Sequence, residues 1–226
     1  MNHQTPTAQE KNGLILVNKP SGMTSHDVVN TARRAFGIKR IGHAGTLDPM
    51  ATGLLILGIG KATKKLGSIT GSSKTYTAEI TLGATSTTDD KEGVLEKSEN
   101  TQPTAEQVQN ALEKFTGEIM QTPPIFSAIK INGQRAYKIA RRGETIKMEP
   151  RKITIHKIEL VSYKYPLLEI KTDVSSGTYI RSLARDIGQE LKTGAYLSGL
   201  ERTSIGEYKL QDAVELEKIK EAKFLI

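Results

Sequence analysis

The chain has 226 residues, enough for one large domain or a domain with a small lobe, and carries no cysteine, which excludes disulfides, thiolate zinc sites and a cysteine nucleophile. Thirty-two Lys and Arg against twenty-five Asp and Glu give a formal charge of +7, with basic groups at Lys39-Arg40, Lys61 with Lys64-Lys65, Arg141-Arg142 and Arg151-Lys152, a distribution that favours a polyanionic partner. No uninterrupted apolar run exceeds the four residues of Leu54 to Leu57, far too few to span a membrane, and residues 1–12 are polar with no signal-peptide core, so the chain is read as cytoplasmic with a disordered tail.

Leu14 to Val17 predicts a short strand, followed by an Asn18–Gly22 turn and a helix to about Phe36. Thr24 and Ser25 are its N-cap candidates, with Asp27 completing a capping box to Thr24 and Val28, Val29, Ala32 and Phe36 forming its apolar stripe. A glycine-punctuated loop follows over 42–53, where Asp48 stands between His43, Thr46 and Thr52 and directly before Pro49. Proline restricts the residue before it, so Asp48 is held, either as an Asp-Pro turn linking two elements or as a chemical carboxylate. The lone loop histidine, His43, is equally open to a structural reading.

Gly53 to Leu57 predicts a buried strand, Ala62 to Leu66 a short basic helix, and 67–73 a Gly-Ser turn. Gly58-Ile59-Gly60-Lys61-Ala62-Thr63 fails as a phosphate loop, because Leu55 stands where the first glycine is required and Ala62 where Ser or Thr is required. Tyr76, Ala78, Ile80 and Leu82 alternate with polar residues, the period of a strand with one apolar face; by that pattern Tyr76 is a core residue. The acidic group Asp89, Asp90 and Glu92 in the polar loop 84–93 reads as a solvated hairpin tip with no chemistry.

Thr104 is expected to cap a helix to Phe115, Phe126 to Ile131 to form a strand into an Asn132-Gly133 turn, and Arg135 to Arg142 a short helix stopped by Gly143. Two β-rich runs follow, Ile153 to Tyr163 and Leu167 to Val174, then a helix over 178–191 with Ile180, Leu183, Ala184, Ile187 and Leu191 on one face. Arg181 and Arg185 share another face, as surface arginines or as an anion site near the helix start. Residues 195–208 read as strand broken at Gly199 and Gly206, and Ala213 to Lys223 as a final amphipathic helix. Strands and helices without regular βαβ alternation predict an α+β fold.

Several of these segments together resemble the TruB family of bacterial tRNA pseudouridine synthases. They are LILVNKPSGMTSHDVV at 14–29, GHAGTLDPMATGLL at 42–55, GKATK at 60–64, KTYTAEITLG at 74–83, TPPIFSAIKINGQRAYKIARRG at 122–143, SSGTYIRSLARDIG at 175–188 and LSGLERTSIG at 197–206. The resemblance implies a pseudouridine synthase fold: a mixed, mostly antiparallel sheet with flanking helices and a central active-site cleft, in a catalytic domain over 13–210. It implies isomerisation of the T-loop uridine at tRNA position 55, with no cofactor, no metal and Asp48 as the catalytic carboxylate. Arg181 would pair with that carboxylate or serve a structural salt bridge. Tyr76 would stack on the base, Tyr179 and Leu200 would line its pocket, and His43 would assist extrusion of the uridine. Lys19 would support the loop and could reach a phosphate. Ala44 departs from the family's usual threonine. Residues 211–226 are expected as one more helix without the RNA-binding PUA domain of many relatives, leaving a monomer that meets the T-arm of tRNA through its basic catalytic domain. A non-catalytic RNA-binding protein is the alternative, disfavoured by the intact Asp48, Tyr76 and Arg181 set.

Overall fold

The unbroken apolar runs at 14–17 and at 54–57 find their reason in two strands buried on both faces. In the computed structural model, which describes residues 12–98, 102–144 and 146–225, β1 (Gly13–Lys19) leads through α1 (Ser25–Phe36) and β2 (Ile41–His43) to β3 (Thr52–Ile59). A 3-10 turn at Gly60–Lys65 runs into α2 (Leu66–Gly71), then β4 (Lys74–Leu82), the small pair β5 (Ala84–Ser86) and β6 (Leu95–Lys97), α3 (Ala105–Glu113) and β7 (Gly117–Gln121). A hairpin of β8 (Lys130–Ile131) and β9 (Gln134–Arg135) precedes α4 (Ala136–Ala140). The long strands β10 (Arg151–Lys164) and β11 (Leu167–Val174), α5 (Ile180–Glu190) and β12 (Ala195–Ile205) follow, and β13 (Tyr208–Lys209) and β14 (Val214–Glu215) come last. The expected tail lies outside the described residues except for Asn12, whose side-chain oxygen accepts from the Lys61 amide. No helix among the described residues is long and apolar enough to cross a membrane.

The chain divides into two compact units, Met1–Lys74 with Glu201–Ile226, and Thr75–Leu200. In the first, strands run in the order β14-β1-β3-β12, β12 contributing its 201–205 part, with β2 also on β3. Ile15, Val17, Leu55, Leu57 and Ile59 point to one face, where Val28, Val29 and Ala32 of α1 cover them together with Leu216 and Ile219. Leu14, Leu16, Leu54 and Ile56 point to the other, against Ala44, Ala62 and Ile69. Thr24 caps α1 as expected, its hydroxyl accepting from the Asp27 amide while the Asp27 carboxylate accepts from the Thr24 amide.

The second unit orders β4-β11-β10-β7, with neighbours β10 and β11, and β10 and β7, antiparallel. Its core holds Ala78, Ile80 and Leu82 of β4, Val108 and Leu112 of α3, Ile170 of β11 and the Ile180, Leu183, Ala184 and Ile187 stripe of α5. This is the α+β class that the pattern of strands and helices implies, with the mixed, mostly antiparallel sheet that the family resemblance implies.

Four local expectations are corrected. The turn at 67–73 is largely helix, because Ile69 is buried and Leu66 packs against the same core, and burial outweighs the poor helix propensity of Gly67 and Gly71. Strand pairing at 126–131 is confined to β8. The carbonyls of Ser127 and Ile129 instead accept from the amides of Tyr137 and Ala136 at the start of α4. The final segment is no α-helix: β14 pairs parallel with β1, and Leu216–Glu221 is a 3-10 stretch with a kink at Lys218, with Leu225 tied back to Leu14 by backbone hydrogen bonds at both ends. The acidic loop is the fourth.

Candidate active site

The Asp48 loop is fixed through its backbone on both sides of the carboxylate. Ser25, buried at the start of α1, donates to the Leu47 carbonyl and accepts from the Leu47 amide, at 3.1 and 2.8 Å. It is thus a clamp on the residue before Asp48, while Thr24 does the capping. Pro49 is held from the other side, its carbonyl accepting from the Gly22 amide at 2.8 Å and from the Lys19 ammonium at 3.2 Å. Ser21 reaches the Met50 carbonyl, and the Ala51 amide turns back to the Asp48 carbonyl. Asp48 itself is half-buried.

Lys19 is 0 % exposed and also donates to the carbonyls of Pro20 and Met23, at 2.8 and 2.7 Å. An ammonium enclosed in this way supports the loop and presents nothing to a phosphate, which corrects the second role expected of it. Arg202 does the same at the loop's far ends and was not singled out from the sequence. It is 1 % exposed, and donates from Nε to the Leu54 carbonyl at 2.8 Å and from Nη2 to the Gly45 carbonyl at 3.1 Å.

His43, half-buried at the end of β2, has its pKa lowered below the ordinary 6.5. Burial is the main cause and outweighs the backbone of Gly45, which favours the proton; the charges of Arg202 and His26 push in the same direction as burial. His43 is therefore neutral at pH 7. Below pH 6.5 the unfolded chain takes a proton that folded His43 resists, so this contribution is complete above 6.5 and is lost as pH falls through the folded value. Urea midpoints at pH 7.5 and 5.5 should show the wild type losing more stability on acidification than His43→Asn; equal losses would refute the shift.

In the second unit, Tyr76 is 6 % exposed on the buried face of β4, which is where its alternation placed it. Tyr179 is half-buried and forms the N-cap of α5 by its backbone alone. The buried Gln121 amide fixes it, accepting from the Tyr179 amide at 2.9 Å and donating to its carbonyl at 3.1 Å. Leu200, also half-buried, lies on β12.

Arg181 is not a surface arginine. Its guanidinium donates to the carbonyls of Thr88 and Phe126, at 3.2 and 3.0 Å, and lies 3.4 Å from the Asp90 carboxylate, with side chains 7 % and 4 % exposed. Asp90 is in turn oriented by the Thr88 hydroxyl and the Glu92 amide. Asp89 pairs with Arg185 at 2.9 Å, and Arg185 also meets Asp186 and the Thr122 carbonyl. Burial pushes the Asp89 carboxyl up, against the opposing pull of Arg185 and Arg181. The acidic loop expected at a solvated tip is therefore folded against α5, where its two aspartates hold the two arginines. Sequence offers only one signal for this, the equal presence of two adjacent acids and two arginines spaced by four.

Among the described residues no group of three or more His, Asp or Glu side chains is placed to hold a metal ion. Residues 33–180 match the family profile of the TruB family pseudouridylate synthase N-terminal domain, and residues 181–226 that of the tRNA pseudouridylate synthase B C-terminal domain. A tRNA pseudouridine synthase B of Corynebacterium diphtheriae is 47% identical over 217 residues, covering 92% of this chain and 72% of the relative. One of Mycobacterium tuberculosis is 46% identical over 214 residues, with 92% and 72% covered. Among solved structures, a chain of an H/ACA RNP bound to a substrate RNA containing 2'-deoxyuridine shares the fold with a TM-score of 0.71 at 26% identity; the match covers 92% of this chain and 52% of that one. A chain of a second, archaeal box H/ACA complex gives 0.70 at 26% identity, covering 92% and 53%. With both profiles matched end to end in chain order and close relatives aligned along nearly its whole length, the chain belongs to the TruB family of pseudouridylate synthases.

Proposed function

We propose that this protein converts the T-loop uridine at tRNA position 55 to pseudouridine, with Asp48 as the essential carboxylate. The observation that carries the reading is the backbone clamping of Leu47, Pro49 and Met50 by buried groups, which fixes one carboxylate in a loop shared in sequence with the family. In the reaction the bond from N1 to the anomeric carbon breaks, the uracil turns, and a bond from C5 to the same carbon forms. C5 loses a proton and N1 gains one. The product is an isomer, so no electrons are exchanged with an outside donor and no cofactor is required.

Three routes meet that balance: attack of the carboxylate on the ring, attack on the anomeric carbon, or removal of a ribose proton to give an unsaturated sugar intermediate. All need Asp48 ionised and held still. Arg181 is the cation assigned to carboxylate charge in the site. Tyr76 is assigned to stacking on the base, Tyr179 and Leu200 to lining the pocket, and neutral His43 to extruding the uridine from the folded T loop, compensating lost stacking. Residues 13–210 act as the catalytic domain, as a cytoplasmic monomer whose partner is the T-arm of tRNA. Tritium release from C5-labelled uridine in a T-arm transcript tests the reading. Stoichiometric release from that one position is expected, and a protein that binds the transcript without releasing tritium would overturn it.

A further inference from the structure

We propose that Arg202 is a positioning residue for Asp48: its buried guanidinium closes the 45–54 loop by donating to backbone carbonyls at both of its ends. The inference rests on Asp48 being the essential carboxylate. Nε reaches the Leu54 carbonyl at 2.8 Å, on the exit side, and Nη2 the Gly45 carbonyl at 3.1 Å, on the entry side; a longer contact of 3.5 Å joins Nη1 to the Thr46 carbonyl. Asp48 lies between the two anchored ends. Arg202 is itself fixed, because β12 runs parallel to β3 with Arg202 opposite Gly53.

Three acceptors of this arrangement are neutral carbonyls, and among the described residues no carboxylate lies within ion-pair distance of Arg202. Burying a cation without a counter-ion is costly, so packing alone is a poor account of it. At this position a guanidinium has donors on separate nitrogens aimed at opposite ends of the loop, whereas a lysine placed at 202 would have to gather its acceptors around a single nitrogen. Its charge also reaches neighbouring groups. Burial first, and the Arg202 charge second, lower Lys74 to about 8. The Gly45 conformation fits the same scheme, its φ of 85° helping to set the direction of the carbonyl that Nη2 reaches.

The test compares Arg202→Lys and Arg202→Ala with the wild type and with Asp48→Asn, reading tritium release at saturating tRNA, tRNA affinity and the thermal midpoint. Arg202→Lys should lower kcat by about 30-fold or more while leaving the Kd for tRNA within about 2-fold, because the loop is displaced and the RNA-facing surface is not. Ethylguanidinium should restore part of the kcat of Arg202→Ala, and ethylammonium should not. If Arg202→Ala does not fold, Arg202→Lys decides. A folded Arg202→Lys with wild-type kcat, or one that loses tRNA affinity in step with kcat, overturns the role of Arg202. An active Asp48→Asn would instead overturn the assignment of Asp48, so the two failures are distinguishable.

Discussion

An Asp48→Asn enzyme is expected to bind T-arm RNA as the wild type does and to release tritium from C5 at least about 10⁴-fold more slowly, the scale of loss seen when a group that forms or breaks the reacting bonds is removed. The amide keeps the size and shape of the carboxylate. What it lacks is the negative charge and the lone pair needed for attack or proton removal, whichever of the three routes operates.

The expectation of intact binding comes from how the loop is built. Its restraints run through Ser25 to Leu47, through Lys19 and Gly22 to Pro49, through Ser21 to Met50, and through Arg202 to Gly45 and Leu54. All of these address backbone atoms. Asn at 48 leaves every one in place, so the variant should remain folded, with a change in stability of the ordinary single-substitution size, about 1 kcal/mol. A variant that lost activity and affinity together would show that Asp48 organises the RNA surface, and the catalytic assignment would fail. Retained tritium release would defeat it directly.

Several elements were legible because their cause is local. The two-residue period of β4 places Tyr76, Ala78, Ile80 and Leu82 on one buried face, and Thr24 with Asp27, three residues apart, announces the start of α1. The family-like motifs likewise drew attention to Asp48. What was not legible depends on partners distant in sequence. Asp89 and Asp90 look like any polar hairpin tip until Arg181 and Arg185, more than ninety positions away, are brought against them. Lys19 and Arg202 belong to residue types that are almost always exposed, and nothing near them in sequence says that they are enclosed and turned onto carbonyls. The apolar pattern of 213–223 is real, since Leu216 and Ile219 are buried, but the pairing of β14 with β1 and the return of Leu225 to Leu14 hold the segment too extended for an α-helix. Periodicity reports which side chains are inside. It does not report which backbone conformation delivers them there.

Gly53→Ala is expected to destabilise the fold by about 3 to 5 kcal/mol and to reduce isomerisation with it. Gly53, the second residue of β3, has φ of 99°, a region that side chains disfavour, and a Cβ there would lie 2.4 Å from the Arg202 carbonyl oxygen and 2.7 Å from its amide nitrogen. Both are backbone atoms of the strand paired with β3, so no rotamer change relieves the overlap and β12 must move away from β3. That movement carries Arg202 with it and draws its guanidinium off Gly45 and Leu54, loosening the Asp48 loop from below. Gly45→Ala supplies the contrast: its φ of 85° is also unfavourable, yet an added Cβ would approach nothing closer than 3.5 Å. The cost there should be about 1 kcal/mol, from backbone strain alone. Urea denaturation of the two variants measures the difference, and equal losses would show that positive φ, and not the close passage of β12 over β3, is what reserves position 53 for glycine.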